Sequence, residues 1–244
     1  MAYNTLYRVY RPQRFDDVAG QEHIITPIKH AVEDNKVAHP YIFCGPRGAG
    51  KTTTAKLLAK AVNCTGSPKP CDQCENCQQI TLGTHPDVIE IDAASNNGVD
   101  EIRDLIEKVK YAPTQGKYKV YIVDEFHMMS PSASNALLKT LEEPPTHVIF
   151  IFATTEPHKI LPTIITRCQR FDFTKLSVPD IVSRMEDILK EEHYQCDQEA
   201  LELIAKLADG GMRDALSILE QCLAYNDKHL TVQDVNQIYG IVSL

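Results

Sequence analysis

The segment Gly45-Pro46-Arg47-Gly48-Ala49-Gly50-Lys51-Thr52 constrains this chain more than any other stretch. It follows the apolar run Tyr41-Ile42-Phe43-Cys44 and precedes Ala55-Lys56-Leu57-Leu58-Ala59-Lys60-Ala61, whose apolar positions recur with helical spacing. Strand, glycine loop, helix is the setting in which such a loop binds phosphate. The glycines let backbone N–H groups curl around phosphate oxygens, and the helix N-terminus adds the positive end of its dipole. Lys51 reaches the β- and γ-phosphates, and the Thr52 hydroxyl ligates Mg²⁺. The blander alternative, a glycine turn leading into a helix, leaves the lysine and threonine unexplained. The segment therefore predicts a nucleotide-binding α/β fold.

Composition narrows the setting. The 244 residues suffice for one large or two medium domains, and 43% hydrophobic with 24% charged residues is ordinary for a soluble globular chain. No apolar stretch approaches the ~18 residues that span a bilayer, and Met1-Ala2-Tyr3-Asn4 opens no signal peptide. We therefore expect a cytoplasmic protein without membrane contact. Four of the eight cysteines cluster between Cys64 and Cys77, a spacing that fits metal binding in a reducing compartment better than a disulfide framework. The net charge of −8 is unevenly placed: residues 172–244 carry 14 acidic and 6 basic residues, which leaves the first 171 neutral. Binding DNA needs local cationic patches, so any nucleic-acid surface belongs to the N-terminal part.

In chain order, Tyr7-Arg8-Val9-Tyr10-Arg11-Pro12-Gln13-Arg14-Phe15 is basic and aromatic and leads through Asp16-Asp17-Val18-Ala19-Gly20-Gln21 to a helix over 22–34. By composition it reads first as a solvated arm, and alternatively as a wrap around a base or phosphate. Cys64 and Cys71-Asp72-Gln73-Cys74-Glu75-Asn76-Cys77 offer four thiolates for a closed, structural Zn²⁺ site with ligands at ~2.3 Å. The alternative of four unrelated free cysteines does not explain their density. With little basic charge beyond Lys69, this knuckle suits a structural insert or docking knob rather than a DNA-reading finger. Asp87-Val88-Ile89-Glu90-Ile91 reads as a strand, followed by a helix over 99–109. Lys119-Val120-Tyr121-Ile122-Val123-Asp124-Glu125 reads as a buried strand ending in two acids. Asp124 suits Mg²⁺ and Glu125 suits polarisation of the attacking water. A helix over 130–142 stops at Pro144-Pro145. The strand Val148-Ile149-Phe150-Ile151-Phe152-Ala153 ends at Thr154-Thr155, whose hydroxyls are candidates for positioning water or sensing a γ-phosphate. A short helix over 161–166 leads to Arg167-Cys168, and the strand 169–173 completes a sheet of about five strands. Helical patterns then cover 178–192, 198–208, 213–225 and 231–239, with breaks at Asp209-Gly210-Gly211 and Tyr225-Asn226-Asp227. Arg213 opens its helix, where a cation opposes the dipole and therefore invites a functional reading such as phosphate contact.

In this order the pieces resemble an AAA+ ATPase. The wording narrows the resemblance to the tau/gamma subunit family of the bacterial DNA polymerase III clamp loader. It rests on Tyr10-Arg11-Pro12 through Phe15-Asp16-Asp17-Val18 and Gly20-Gln21, on the four-cysteine insert, and on Glu90-Ile91-Asp92-Ala93-Ala94-Ser95. Asp124-Glu125-Phe126-His127-Met128, the run from Leu137 to Pro145, and Thr166-Arg167-Cys168 complete it. The resemblance covers essentially the whole chain. It implies a five-stranded parallel sheet with a zinc insert and a small helical lid: a nucleotide-binding domain over 1–174, the zinc module at 64–77, and the lid over 175–244. It implies that Gly45, Pro46, Arg47, Gly48, Ala49, Gly50, Lys51 and Thr52 bind the phosphates of ATP or ADP. Thr52 and Asp124 would hold Mg²⁺, Glu125 would act on water, and Thr155 would be the first sensor. Arg213 would touch the γ-phosphate from the lid of the same subunit, and Arg167 would act in trans on a neighbour's ATP. Arg8, Arg11, Pro12 and Val18 fall where the family's opening segment encloses the nucleotide, which reverses the preference for a solvated arm. Thr166 stands where the family usually has Ser, and Phe126 where it has a small aliphatic residue. The family's third, collar-forming domain is absent from this chain, so a two-domain piece is expected, monomeric or weakly associating by itself.

The function implied is an ATP-hydrolysing motor subunit that opens a sliding clamp and loads it on primer–template DNA. Its partners would be delta, delta-prime and further tau/gamma copies. A nucleotide-gated switch with little turnover is the alternative, but such a subunit would be expected to lack Lys51 or Glu125, and both are present. A zinc-dependent DNA-binding protein is a third reading, weakened by the scarcity of basic residues at the knuckle. Lys139 and Arg103 are candidates to face DNA, and equally ordinary exposed helix cations.

Overall fold

The computed structural model describes residues 5–226 and 228–240. Met1–Asn4, read above as opening no signal peptide, Asp227 of the last predicted break, and residues 241–244 lie outside them. The chain begins with α1 (Leu6–Val9), a 3-10 turn at Phe15–Asp17 and α2 (Glu22–Glu33). Then follow β1 (Pro40–Cys44), α3 (Lys51–Asn63), α4 (Glu75–Leu82), β2 (Val88–Asp92), α5 (Val99–Val109) and β3 (Lys119–Asp124). A 3-10 turn at Phe126–Met128 leads to α6 (Pro131–Glu142), β4 (Val148–Thr154), α7 (Pro162–Ile165) and β5 (Gln169–Asp172). The rest is α8 (Val178–Glu192), β6 (Gln195–Cys196), α9 (Gln198–Leu207), α10 (Met212–Tyr225), β7 (His229–Leu230) and α11 (Val232–Tyr239).

Five strands form one parallel sheet in the order β2-β3-β4-β1-β5. Successive side chains of a strand face opposite sides, and the apolar runs supply both. Tyr41, Phe43, Val120, Ile122, Ile149 and Ile151 pack on one side with Ile24 and Ile28 of α2 and Leu57 and Leu58 of α3. Ile42, Tyr121, Val123, Phe150 and Phe152 pack on the other with Ile102 and Leu105 of α5 and Leu137 of α6. Each such side chain contributes about 1.5–3 kcal/mol when removed from water, so the central β4, buried along its length, anchors the domain. Phe126, the bulky residue after the acidic pair, is accommodated by stacking on Phe152 with ring centroids 4.2 Å apart. The order places β4 between β1 and β3. The phosphate loop, Asp124 and Thr154 therefore emerge side by side at the carboxyl edge of the sheet, where open α/β sheets bind ligands.

The last four helices enclose a separate apolar cluster that includes Ile181, Met185, Leu201, Ile204, Leu216 and Leu219. Ser177 caps α8 by accepting the Asp180 N–H at 3.2 Å, and Thr231 caps α11. Three features escape the sequence pattern. The four-residue α1 and the two-residue parallel pair β6–β7 are too short for periodicity to show. Helix α4 begins inside the cysteine knuckle, where Cys74 caps it by accepting the Cys77 N–H at 3.4 Å.

The opening segment bridges the two parts. Leu6, Tyr7 and Tyr10 pack on the helical cluster, and Arg184 of α8 donates to the Tyr10 carbonyl at 2.7 Å. Further along, Arg11 Nε donates to Thr53 Oγ1 of α3 at 3.1 Å. Gln21 is fully buried, and its amide donates to Ala49 O in the phosphate loop at 3.2 Å and to Thr174 O at 2.7 Å. Its oxygen accepts the Thr174 N–H at 3.3 Å. One side chain thus ties the loop to the segment leading into the helical part. Gln21→Ala removes these three hydrogen bonds, leaves the buried Ala49 carbonyl without this partner, and should lower unfolding free energy by about 1–3 kcal/mol, read by urea denaturation.

Candidate functional site

Lys51 and Thr52 open α3, whose N-cap Gly50 adopts φ +99°, and the helix points its free N–H groups into the loop 45–50. Two glycines there are required by contacts. At Gly45 (φ +151°) a Cβ would lie 2.5 Å from the Phe173 carbonyl oxygen, and at Gly48 (φ +78°) it would meet the Cα of Gly211 at 3.2 Å. Gly48 O also accepts the Met212 N–H at 3.2 Å, so the loop touches the start of α10 backbone to backbone.

Lys51 is 8% exposed, and its ammonium donates to Gly45 O at 2.8 Å and Pro46 O at 2.7 Å. Burial holds its pKa below the ordinary lysine value, while the Asp124 and Glu125 carboxylates pull the other way. Thr52 Oγ1 donates to Asp124 Oδ2 at 3.0 Å. A hydroxyl and a carboxylate converging beside the phosphate loop are the hard oxygen donors that Mg²⁺ takes. Glu125 stands at φ +51°, a left-handed conformation that costs a non-glycine residue about 1–3 kcal/mol and turns the chain sharply out of β3. Its N–H donates to Asp124 Oδ1 at 3.0 Å.

One cavity is lined by Arg47, Gly48, Gly50, Lys51, Thr52, Asp124, Glu125 and Thr155 together with Arg213 from α10 and Tyr7 from α1. The predicted loop, acidic pair, threonine and lid arginine are therefore brought together. The Tyr7 ring lies between two guanidiniums, Arg213 at 5.3 Å and Arg11 at 5.7 Å. A second, mainly apolar cleft adjoins it, lined by Tyr10, Arg11, Pro12, Val18, Ala49, Leu176, Arg184, Met212 and Leu216 among others. Arg11, Pro12 and Val18 sit there as a wall. Arg8 lines neither cleft and faces Lys56 and Lys60 in a neighbouring one. Arg167 lies outside the phosphate-loop cavity, paired with Glu142 and donating to Thr163 O. Tyr7 belongs to the arm read as a possible wrap, whereas Arg184 and Met212 are residues the sequence reading missed. None lies in a phosphate-binding pattern, and only tertiary packing brings them here.

Among the described residues, Cys64, Cys71, Cys74 and Cys77 place their sulfurs within 4.8 Å of one another. Backbone N–H groups point at them: Gly66 and Cys71 toward Cys64 Sγ at 3.3 and 3.2 Å, Gln73 and Cys74 toward Cys71 Sγ at 3.4 and 3.2 Å. Burial opposes ionisation of Cys74, but the N–H groups of Thr65 and Cys77 outweigh it and bring its pKa down to about 6. Four converging thiols with N–H donors are compatible with a tetrahedral Zn²⁺. The knuckle also grips the nucleotide side. Lys60 of α3, its side chain 2% exposed, pairs with Asp72 at 2.7 Å and donates to Gln13 O at 3.1 Å.

Comparison with known proteins gives matches over both parts. Residues 20–177 match the family described as DNA polymerase III, delta subunit. Residues 180–228 match the DNA polymerase III clamp loader subunit, ATPase lid domain. The chain is 58% identical over its full length to DNA polymerase III subunit tau of Bacillus subtilis and spans 44% of that relative. It is 42% identical to DNA polymerase III subunit gamma of Buchnera aphidicola, over 99% of this chain and 67% of the relative. Among solved structures, the Holliday junction branch migration motor RuvB of Thermotoga maritima superposes with a TM-score of 0.72 at 16% identity, over 95% of this chain and 72% of that one. That likeness is one of fold.

A zinc centre at the knuckle predicts about one equivalent of zinc in the purified protein. Cys77→Ser should reduce it, and elemental analysis finding less than about half an equivalent in the parent would remove the site.

Proposed function

The chain belongs to the tau/gamma family of DNA polymerase III clamp-loader subunits, and on that premise we propose that it binds and hydrolyses ATP to open a sliding clamp and load it on primer–template DNA. The observation that carries the proposal is the single cavity in which Lys51, Thr52, Asp124, Glu125 and Thr155 meet Arg213 of the lid. Loop amides and the Lys51 ammonium hold the β- and γ-phosphates, with Arg47 beside them. Thr52 and Asp124 hold Mg²⁺, which when bound neutralises phosphate charge. Glu125 orients the attacking water and accepts its proton, and Thr155 stands beside it as the first sensor. The apolar cleft beside the loop takes the nucleoside, with Arg11, Pro12 and Val18 as its wall. Arg213 reads the γ-phosphate from α10, and the hydrogen bond from the Met212 N–H to Gly48 O supports transmission of that reading to the lid.

Arg167 does not line its own cavity and is paired with Glu142, which supports the reading that it serves a neighbouring subunit's nucleotide. Such a cation in trans raises turnover roughly 10³- to 10⁵-fold in related NTPases. The partners that follow are further copies of this subunit, delta and delta-prime, the clamp, and DNA through the assembly. The location is the cytoplasm, and no described helix is long and apolar enough to cross a membrane. The nucleotide-binding domain takes 1–174 and the lid 175–244. The knuckle holds structural Zn²⁺.

Lys51→Ala should weaken nucleotide binding at least tenfold, since charge-assisted hydrogen bonds contribute about 1.5–3 kcal/mol. Glu125→Gln should preserve binding and lower ATP turnover by about 10²-fold or more. Equilibrium binding of a fluorescent nucleotide and phosphate release measure the two. Full hydrolysis by the Glu125→Gln protein would overturn the water-orienting role.

A further inference from the structure

His127 occupies a place that none of these roles uses. Its side chain is 4% exposed, with Nε2 3.3 Å from Glu125 Oε2 and 3.4 Å from Glu156 Oε2. On the other side of the ring, Nδ1 lies 2.9 Å from Thr154 Oγ1. Ionised carboxylates accept and never donate, so the nitrogen between them carries a proton. Thr154 Oγ1 also accepts the Glu156 N–H at 3.0 Å, so this hydroxyl ties the ring to the backbone that follows β4. Both carboxylates lie within reach of this one nitrogen, Glu125 slightly nearer, at separations just beyond a closed N–H···O bond of about 2.7–3.2 Å, so the two acceptors compete for it. Glu156 remains an acceptor, because Lys159 bonds its carboxylate and holds its pKa below the ordinary value, with His127 a smaller contributor in the same direction.

The backbone under His127 is fixed. The preceding Phe126 is buried against Phe152, and Glu125 is locked at φ +51°. Thr154, which holds the far side of the ring, ends β4 and adjoins Thr155 in the phosphate cavity. A continuous line runs from the end of the sensor strand through the imidazole to the Glu125 carboxylate.

We propose that His127 is a positioning residue of the hydrolytic site: its Nε2–H holds the Glu125 carboxylate in the orientation that directs water, with Glu156 as the competing acceptor, and Thr154 sets the ring. The inference rests on the reading of Glu125 as the water-orienting group. Through this ring, the position of the Thr154–Thr155 strand end governs where the Glu125 carboxylate stands.

The test compares His127→Asn with His127→Gln in the full-length protein assembled with its loader partners. The asparagine amide overlays Nδ1 and does not reach the carboxylates, whereas the glutamine amide places an N–H where Nε2 stands. His127→Asn should lower kcat about tenfold or more, the scale on which small misplacements at a reacting centre act, with KM and nucleotide affinity within about twofold of the parent. His127→Gln should recover most of the lost rate at the same KM, with both variants folded by thermal melting. Parental kcat in His127→Asn, or equal impairment of both variants, overturns the proposal. Glu125→Gln measured in parallel separates its failure from that of its premise. Parental turnover in Glu125→Gln removes the premise and the proposal together. An inactive Glu125→Gln beside a fully active His127→Asn removes the proposal alone.

Discussion

A buried ammonium sets the terms for the rest of the molecule. Lys51 is withdrawn from water at the first turn of α3, where a positive charge meets the positive end of a helix dipole. Neither fact is favourable alone. Two loop carbonyls, at 2.8 and 2.7 Å, and the carboxylates of Asp124 and Glu125 offset it. That arrangement needs three neighbouring strand ends in register, and the parallel order β3-β4-β1 supplies them. The same concentration of N–H groups and cation suits an anion far better than it suits backbone carbonyls, which is the physical basis for phosphate binding here.

The site is tied to three other parts of the chain by specific contacts. Gln21 binds the loop to the segment at Thr174, and Gly48 meets Gly211 where α10 begins. The opening segment lays Tyr7 between Arg11 and Arg213, then runs on to Thr53 of α3. Lys60 carries the connection to the cysteine knuckle through Asp72 and Gln13. The Lys60 ammonium is buried and its acceptors come from Asp72 and Gln13, so the knuckle and the opening segment are structurally coupled to the helix that follows the phosphate loop.

Much of this was legible in the chain because residue type and local setting act together. Lys51 and Thr52 after a glycine loop, and Asp124 after four apolar positions, announce their surroundings within a few residues. The two-sided apolar runs likewise announce a sheet covered on both faces. Contacts across elements leave no such trace. The pattern places His127 merely after an acidic pair, and only the fold sets Thr154 and Glu156 around its ring. Tyr7 and Arg184 join the apolar cleft because α1 packs on the helical cluster, which a four-residue helix cannot foretell. Arg8 shows the converse: a motif residue whose side chain faces away from the cleft its neighbours line.

Arg47, Lys51 and Arg213 line the cavity, and Arg167 does not. Arg167 is engaged with Glu142 on its own chain and stands apart from its own phosphate loop. On the proposed reading, the site is half of a composite one, completed when subunits meet. The most direct measurement is single-turnover ATP hydrolysis by the isolated chain and by the assembled loader with clamp and primed DNA, each with and without Arg167→Ala. The account predicts slow hydrolysis and unchanged nucleotide affinity in the isolated chain whether or not Arg167 is present. In the assembly it predicts a rate roughly 10³-fold or more higher that Arg167→Ala abolishes. Hydrolysis by the isolated chain at the assembled rate, or a large loss of its nucleotide affinity on Arg167→Ala, would contradict it.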